Sequence, residues 1–145
     1  MTEGDIDEVA AIEYECFSLP WSRTTFQMDL SKSYIRYILA IENDSGKVVG
    51  YAGCSMMWSE GEILKVAVLP EYRKRHVGKF LLRSLMGGMK SEGISSLTLE
   101  VRRSNESAIR LYEGEGFFIV GERPGYYSSP KEDAIVMWKT DLNEA

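Results

Sequence analysis

Between Val66 and Gly116 the chain reads VAVLPEYRKRHVGKFLLRSLMGGMKSEGISSLTLEVRRSNESAIRLYEGEG. Val66–Val68 is the end of an apolar strand. Val77, Leu81, Leu85 and Met89, with Phe80 beside them, then recur at helical spacing. Ser96–Arg102 alternates as a strand, with Leu97, Leu99 and Val101 on one face and Thr98, Glu100 and Arg102 on the other. Asn105 is placed to cap a second helix, bearing Ala108, Leu111 and Tyr112 and ended by Gly114 or Gly116. Strand, helix, strand and helix in that order require a sheet with a crossover helix.

The remaining segments extend this pattern. Ile6, Val9, Ile12 and Cys16 give one helix, with Asp5 and Glu8 spaced as a capping box and Pro20 beyond its end. Ser22 caps a second, with Trp21 and Phe26 at the positions of a hydrophobic staple. Strands are expected at Arg36–Ile41, Val48–Met57, Ile63–Val68, Phe117–Gly121 and Ala134–Trp138. The expected architecture is one α/β domain, a mixed sheet with helices on both faces.

At 145 residues, 44% hydrophobic and 27% charged, the chain has the composition of a single globular domain. The net charge of −5 argues against general nucleic-acid binding and leaves room for a cationic partner. No apolar run is long enough for a membrane span, and the acidic first residues do not read as a secretory signal. Cys16 and Cys54 lack metal-ligand or disulfide-framework spacing, and His76 is the only histidine. A cytoplasmic, metal-free protein is therefore expected.

Positive charge is concentrated in Arg73, Lys74, Arg75 and Lys79, on a loop containing Gly78 that opens a helix. Main-chain N–H groups at a helix start, joined by cationic side chains, make an anion site. The loop is not a nucleotide P-loop, because Arg73 stands where GxxxxGK requires glycine.

The run Val66-Ala67-Val68-x-Pro-x-Tyr-Arg-x-x-x-x-Gly resembles the acyl-CoA signature of the GNAT superfamily of N-acetyltransferases. Leu99-Glu100-Val101-Arg102-x-Ser104-Asn105 and Leu111-Tyr112-Glu113-x-x-Gly116-Phe117 add to that likeness, which is nearest to the bacterial ribosomal-protein alanine N-acetyltransferases. Leu19-Pro20-Trp21-Ser22, Tyr126-Tyr127 and Glu132-Asp133-Ala134 resemble further segments of the same subfamily. The resemblance implies a single GNAT-like domain over residues 1–145, with a mixed, mostly antiparallel sheet. It also implies acetyl-CoA as acetyl donor, no metal, and a protein N-terminus, that of a ribosomal protein, as acceptor; the alternatives are another N-terminus or a small amine as acceptor, or a non-catalytic acyl-CoA-binding module. A monomer or weak homodimer is expected.

Carried onto this chain, the resemblance assigns Val66, Ala67 and Val68 to the pantetheine arm and thioester. Arg73, Lys74, Arg75, His76, Val77, Gly78 and Lys79 would hold the pyrophosphate, and Asn105 would contact the cofactor. Glu100 would be the general base, and Tyr112 the acid that protonates the departing thiolate. Trp21, Glu62, Tyr126 and Tyr127 would line the acceptor. The structural alternatives are a sheet-rim pairing of Glu100 with Arg102 or Arg103, core packing for Tyr112, and a solvated turn for Glu60 and Glu62. His76 stands where the family usually has glycine, and Lys65 where the nearest relatives usually have asparagine.

Overall fold

A computed structural model describes residues 1–142; residues 143–145 of the expected domain lie outside the described residues. A 3-10 turn over Glu3–Asp5 leads into α1 (Ile6–Cys16), followed by α2 (Arg23–Leu30). Three strands come next: β1 (Ile35–Ile41), β2 (Val48–Met57) and β3 (Glu60–Val68). The second half runs α3 (Val77–Ser91), β4 (Ser96–Arg102), α4 (Glu106–Gly114), β5 (Phe118–Tyr127) and β6 (Glu132–Lys139). The six strands form one sheet in the order β1-β2-β3-β4-β6-β5. All neighbours are antiparallel except β3 and β4, which run parallel because α3 carries the chain back between them.

Each face of the sheet buries one apolar set. Leu81, Leu82, Leu85 and Met89 of α3 pack against Ile63, Leu97, Leu99 and Met137, and Tyr112 of α4 joins that cluster. On the other face Ile6, Val9 and Ile12 of α1 and Phe26 of α2 meet Tyr37, Tyr51 and Ala67. The Trp21–Phe26 staple is formed, with ring centroids 6.0 Å apart. Among the described residues no helix is long and apolar enough to cross a membrane.

Four local expectations need correction. The box at the N-terminus joins Thr2 and Asp5, with the Thr2 N–H donating to Asp5 Oδ2 at 2.8 Å. Glu8 instead accepts the Val48 N–H at 3.1 Å, tying α1 to β2. Phe80 lies off the buried stripe of α3 and is 75% exposed. Strand β3 begins at Glu60, so Glu60 and Glu62 belong to the sheet and not to a turn. Strand β5 continues past Gly121 to Tyr127 by way of register shifts.

Candidate acyl-transfer site

The parallel β3–β4 pairing is short: Glu60 faces Ser96, Gly61 faces Leu97 and Glu62 faces Thr98. Beyond Glu62 and Thr98 the strands are no longer paired, although β3 continues to Val68 and β4 to Arg102. One edge of β3 is thereby left without a strand partner. The Leu69 N–H donates to Val49 O at 2.9 Å, in register with the Gly50–Val68 and Ala52–Val66 pairs. That contact sets the alternation. Ala67 bonds back to β2, while Val66 and Val68 turn their N–H and C=O groups to the open edge. The Val68 carbonyl accepts from Arg73 Nε at 3.0 Å, as an outward-turned group must. Of the three residues assigned to the pantetheine arm, Val66 and Val68 thus present backbone at this edge. Ala67 points a buried side chain towards α1.

The basic loop closes the end of the opening. Lys74 and His76 adopt left-handed backbone, with φ of 62° and 63°. Histidine is among the residues that tolerate this region. His76 is the N-cap of α3 and makes no side-chain cap. The Phe80 N–H bonds to His76 O at 3.0 Å, the first turn of the helix. The N–H groups of Val77, Gly78 and Lys79 precede that bond and have no intrahelical acceptor. A Cβ added at Gly78 would lie 3.6 Å from Leu111 and 3.9 Å from both Val66 and Val68. The uncapped helix start therefore stands against the open edge and α4. An open depression of about 480 Å³ adjoins it, lined by His76, Lys79, Phe80, Arg83 and Ser84.

Helix α4 delivers Tyr112. At its start, Asn105 Oδ1 accepts the Ala108 N–H at 3.2 Å and caps the helix. At its end, Gly116 has φ of +94° and donates to Glu113 O at 3.1 Å, while Phe117 donates to Tyr112 O at 3.0 Å. This Schellman arrangement brings the Phe117 ring edge-on to Tyr112, with centroids 5.7 Å apart. Burial raises the Tyr112 phenol above its usual range, with a smaller contribution from Tyr127. No described side chain hydrogen-bonds its hydroxyl.

Glu100 projects from β4 on the face opposite Leu99 and Val101, beside Glu62 of β3. Its Oε1 lies 3.6 Å from Arg123, and its Oε2 is buried without a hydrogen-bond partner. The nearby Glu100 carboxylate raises the Tyr126 phenol. Burial, followed by the Glu100 charge, pushes Tyr127 up to about 12. Burial, followed by the same charge, raises the Glu62 carboxyl. The two tyrosine rings meet edge-on at 5.0 Å. Glu62, Glu100, Tyr126 and Tyr127 are thus brought together, with Tyr112 behind Tyr127. Trp21 makes its contacts with Lys65 and Glu13 instead.

Neither sheet-rim partner considered for Glu100 is used. Arg102 donates to Ser128 O at 2.8 Å and to Pro130 O at 2.9 Å and stacks over Tyr127, while Arg103 pairs with Glu122. Arg123, the cation that does face Glu100, had no signal in the sequence beyond its charge. It lies past Gly121, where the strand pattern stops. Arg102, which shares the Glu100 face of β4, is turned to Tyr127 instead. Cys16 lies at the end of the open edge, with its thiol 3.5 Å from Val68 O and raised by burial. Cys54 is buried within β2.

Residues 6–117 match the acetyltransferase (GNAT) family. The chain belongs to that family. This GNAT domain is 37% identical over 136 residues to the [ribosomal protein bS18]-alanine N-acetyltransferase of Haemophilus influenzae, covering 92% of this chain and 90% of the relative. It superposes on the crystal structure of the ribosomal-protein-S18-alanine N-acetyltransferase from Escherichia coli with a TM-score of 0.88 and 31% identity, covering 97% and 90% of the two chains. A NatC complex bound to Gag peptide and CoA shares the fold at a TM-score of 0.86 and 24% identity, over 96% and 92% of the chains.

Proposed function

We propose that the chain transfers an acetyl group from acetyl-CoA to the N-terminal α-amine of a protein, the alanine terminus of a ribosomal protein such as bS18. The observation that carries this reading is the buried, unpartnered Oε2 of Glu100 beside the open edge of β3. A buried acceptor without a donor is an unmet hydrogen bond, and an incoming amine supplies the donor.

The residues present fit acetyl-CoA. The outward N–H and C=O groups of Val66 and Val68 match an amide-bearing arm. The uncapped N–H groups of Val77, Gly78 and Lys79, with Arg73, Lys74 and Arg75 nearby, match a pyrophosphate. When bound, the thioester supplies an acyl carbon open to direct attack by an amine. An α-amine has a pKa of about 7.7–8.0, against about 10.4 for lysine, so a single carboxylate suffices to take its proton. Glu100 fills that role, directly or through one water. The raised phenol of Tyr112 stays protonated at neutral pH and can donate to the departing sulfur. Neither cysteine takes part as a nucleophile. Similarity to the bS18-alanine N-acetyltransferases supports the choice of acceptor.

The test is mass spectrometry of three acceptors: a basic peptide beginning with alanine, its N-blocked form, and a polyamine. One added acetyl group on the first alone is expected. Acetylation of the blocked peptide or the polyamine at a comparable rate contradicts the N-terminal assignment.

A further inference from the structure

Glu13 is a carboxylate with no solvent exposure, and three elements supply its donors. Tyr51 of β2 gives its hydroxyl to Oε1. Lys65 of β3 reaches Oε1 at 2.9 Å and Oε2 at 3.0 Å. The main-chain N–H of Trp21, from the connection between α1 and α2, donates to Oε2 at 2.7 Å. The same ammonium lies 4.1 Å from the centre of the Phe17 ring and 3.7 Å from that of Trp21. Lys65 therefore grips the connection twice, through the carboxylate that holds its backbone and through the two rings that it carries.

Burial lowers the Lys65 ammonium below its ordinary range, and Glu13 opposes that shift. A buried ion pair is seldom better for stability than a well-packed apolar substitute. What this pair supplies is geometry, because a saturated carboxylate and two stacked rings leave the connection few alternatives. Lys65 lies three residues beyond Glu62 on β3, so the strand that borders the acyl-transfer cluster also anchors Trp21.

We propose that Lys65 is a positioning residue for the acceptor: through Glu13, Phe17 and Trp21 it fixes the 17–22 connection as one wall of the acceptor cleft. The inference rests on the N-terminal acetyltransferase reading above and on Lys65 sharing β3 with Glu62 of the acyl-transfer cluster. It predicts that Lys65 governs acceptor binding and leaves cofactor binding alone.

Lys65→Met strips Glu13 of its counter-charge and can fail to fold, so the paired Glu13→Gln/Lys65→Met variant is made beside it, with Lys65→Arg as the conservative exchange. In the paired variant the KM for the alanine peptide should rise about ten-fold, with kcat and the acetyl-CoA KM within about three-fold of wild type. Lys65→Arg, which keeps the charge and the stacking, should recover most of the loss. An unchanged peptide KM, or a parallel rise in both KM values, overturns the proposal. Trp21 gives an activity-independent readout once Trp58 and Trp138, 94% and 48% exposed, are replaced by phenylalanine. Acrylamide quenching of Trp21 should increase in the paired variant, and unchanged quenching also overturns the proposal. A wild-type enzyme that acetylates no peptide instead contradicts the acetyltransferase reading, and the acceptor half of this inference with it. The quenching result stays separate.

Discussion

A carboxylate oxygen buried without a donor costs about 1–3 kcal/mol or more, so such an atom calls for a partner, which a water, an ion or a ligand can supply. Glu100 Oε2 is the buried side-chain atom of this kind among the described residues. Tyr112 differs: its ring is packed against Phe117, but no described side chain depends on its hydroxyl. Tyr112→Phe should therefore leave the thermal midpoint almost unchanged while slowing acetyl transfer by about 10²-fold or more. Turnover close to wild type would return Tyr112 to the core and remove it from the chemistry. The alternation of Ser96–Arg102 already shows Glu100 turned away from the core. That Arg123 faces it could not be read, because the contact depends on β6 lying between β4 and β5.

At the scale of elements, helix α4 is held by its two ends. Asn105 caps the start, and Gly116 closes the end in a conformation that a side chain resists. A Cβ at Gly116 would also crowd Lys139 Nζ, which donates to Glu115 O at 2.8 Å. Gly116→Ala should cost about 1–2 kcal/mol by denaturant unfolding and should lower kcat, because Tyr112 belongs to the same turn. Unchanged stability would contradict the Schellman account. Helices were legible where apolar spacing and caps agreed, as for Ser22 with the Trp21–Phe26 staple. The ends of β3 and β5 were not. Gly61 lies ahead of the expected strand start at Ile63, between Glu60 and Glu62, and belongs in β3 because Met89, Leu97 and Ile94 crowd the place of its missing side chain. The expected strand stops at Gly121, yet β5 crosses Pro124 and Gly125 through register shifts against β6. Motif resemblance brought Tyr126 into view, whereas local patterning did not.

For the whole molecule, burial leaves an imprint on stability at high pH. Burial raises the phenols of Tyr37, Tyr51, Tyr112 and Tyr127 in the folded state. Above about pH 10 the unfolded chain would release these protons while the folded chain keeps them, so stability falls as pH rises. Lys65, lowered by burial, acts in the opposite direction, because the unfolded chain then holds its proton longer. Four phenols against one ammonium make the net effect destabilising. Urea midpoints should be lower at pH 11 than at pH 8, and a flat or rising profile would contradict the buried-phenol core.

In the proposed mechanism Glu100 takes the proton of the acceptor amine beside an edge that holds the cofactor independently of it. Single-turnover acetylation of the alanine peptide by Glu100→Gln, paired with calorimetric CoA binding, tests both halves together. The predicted result is a rate about 10²-fold or more below wild type with CoA affinity retained. A rate near that of wild type, or CoA affinity lost along with the rate, would contradict it.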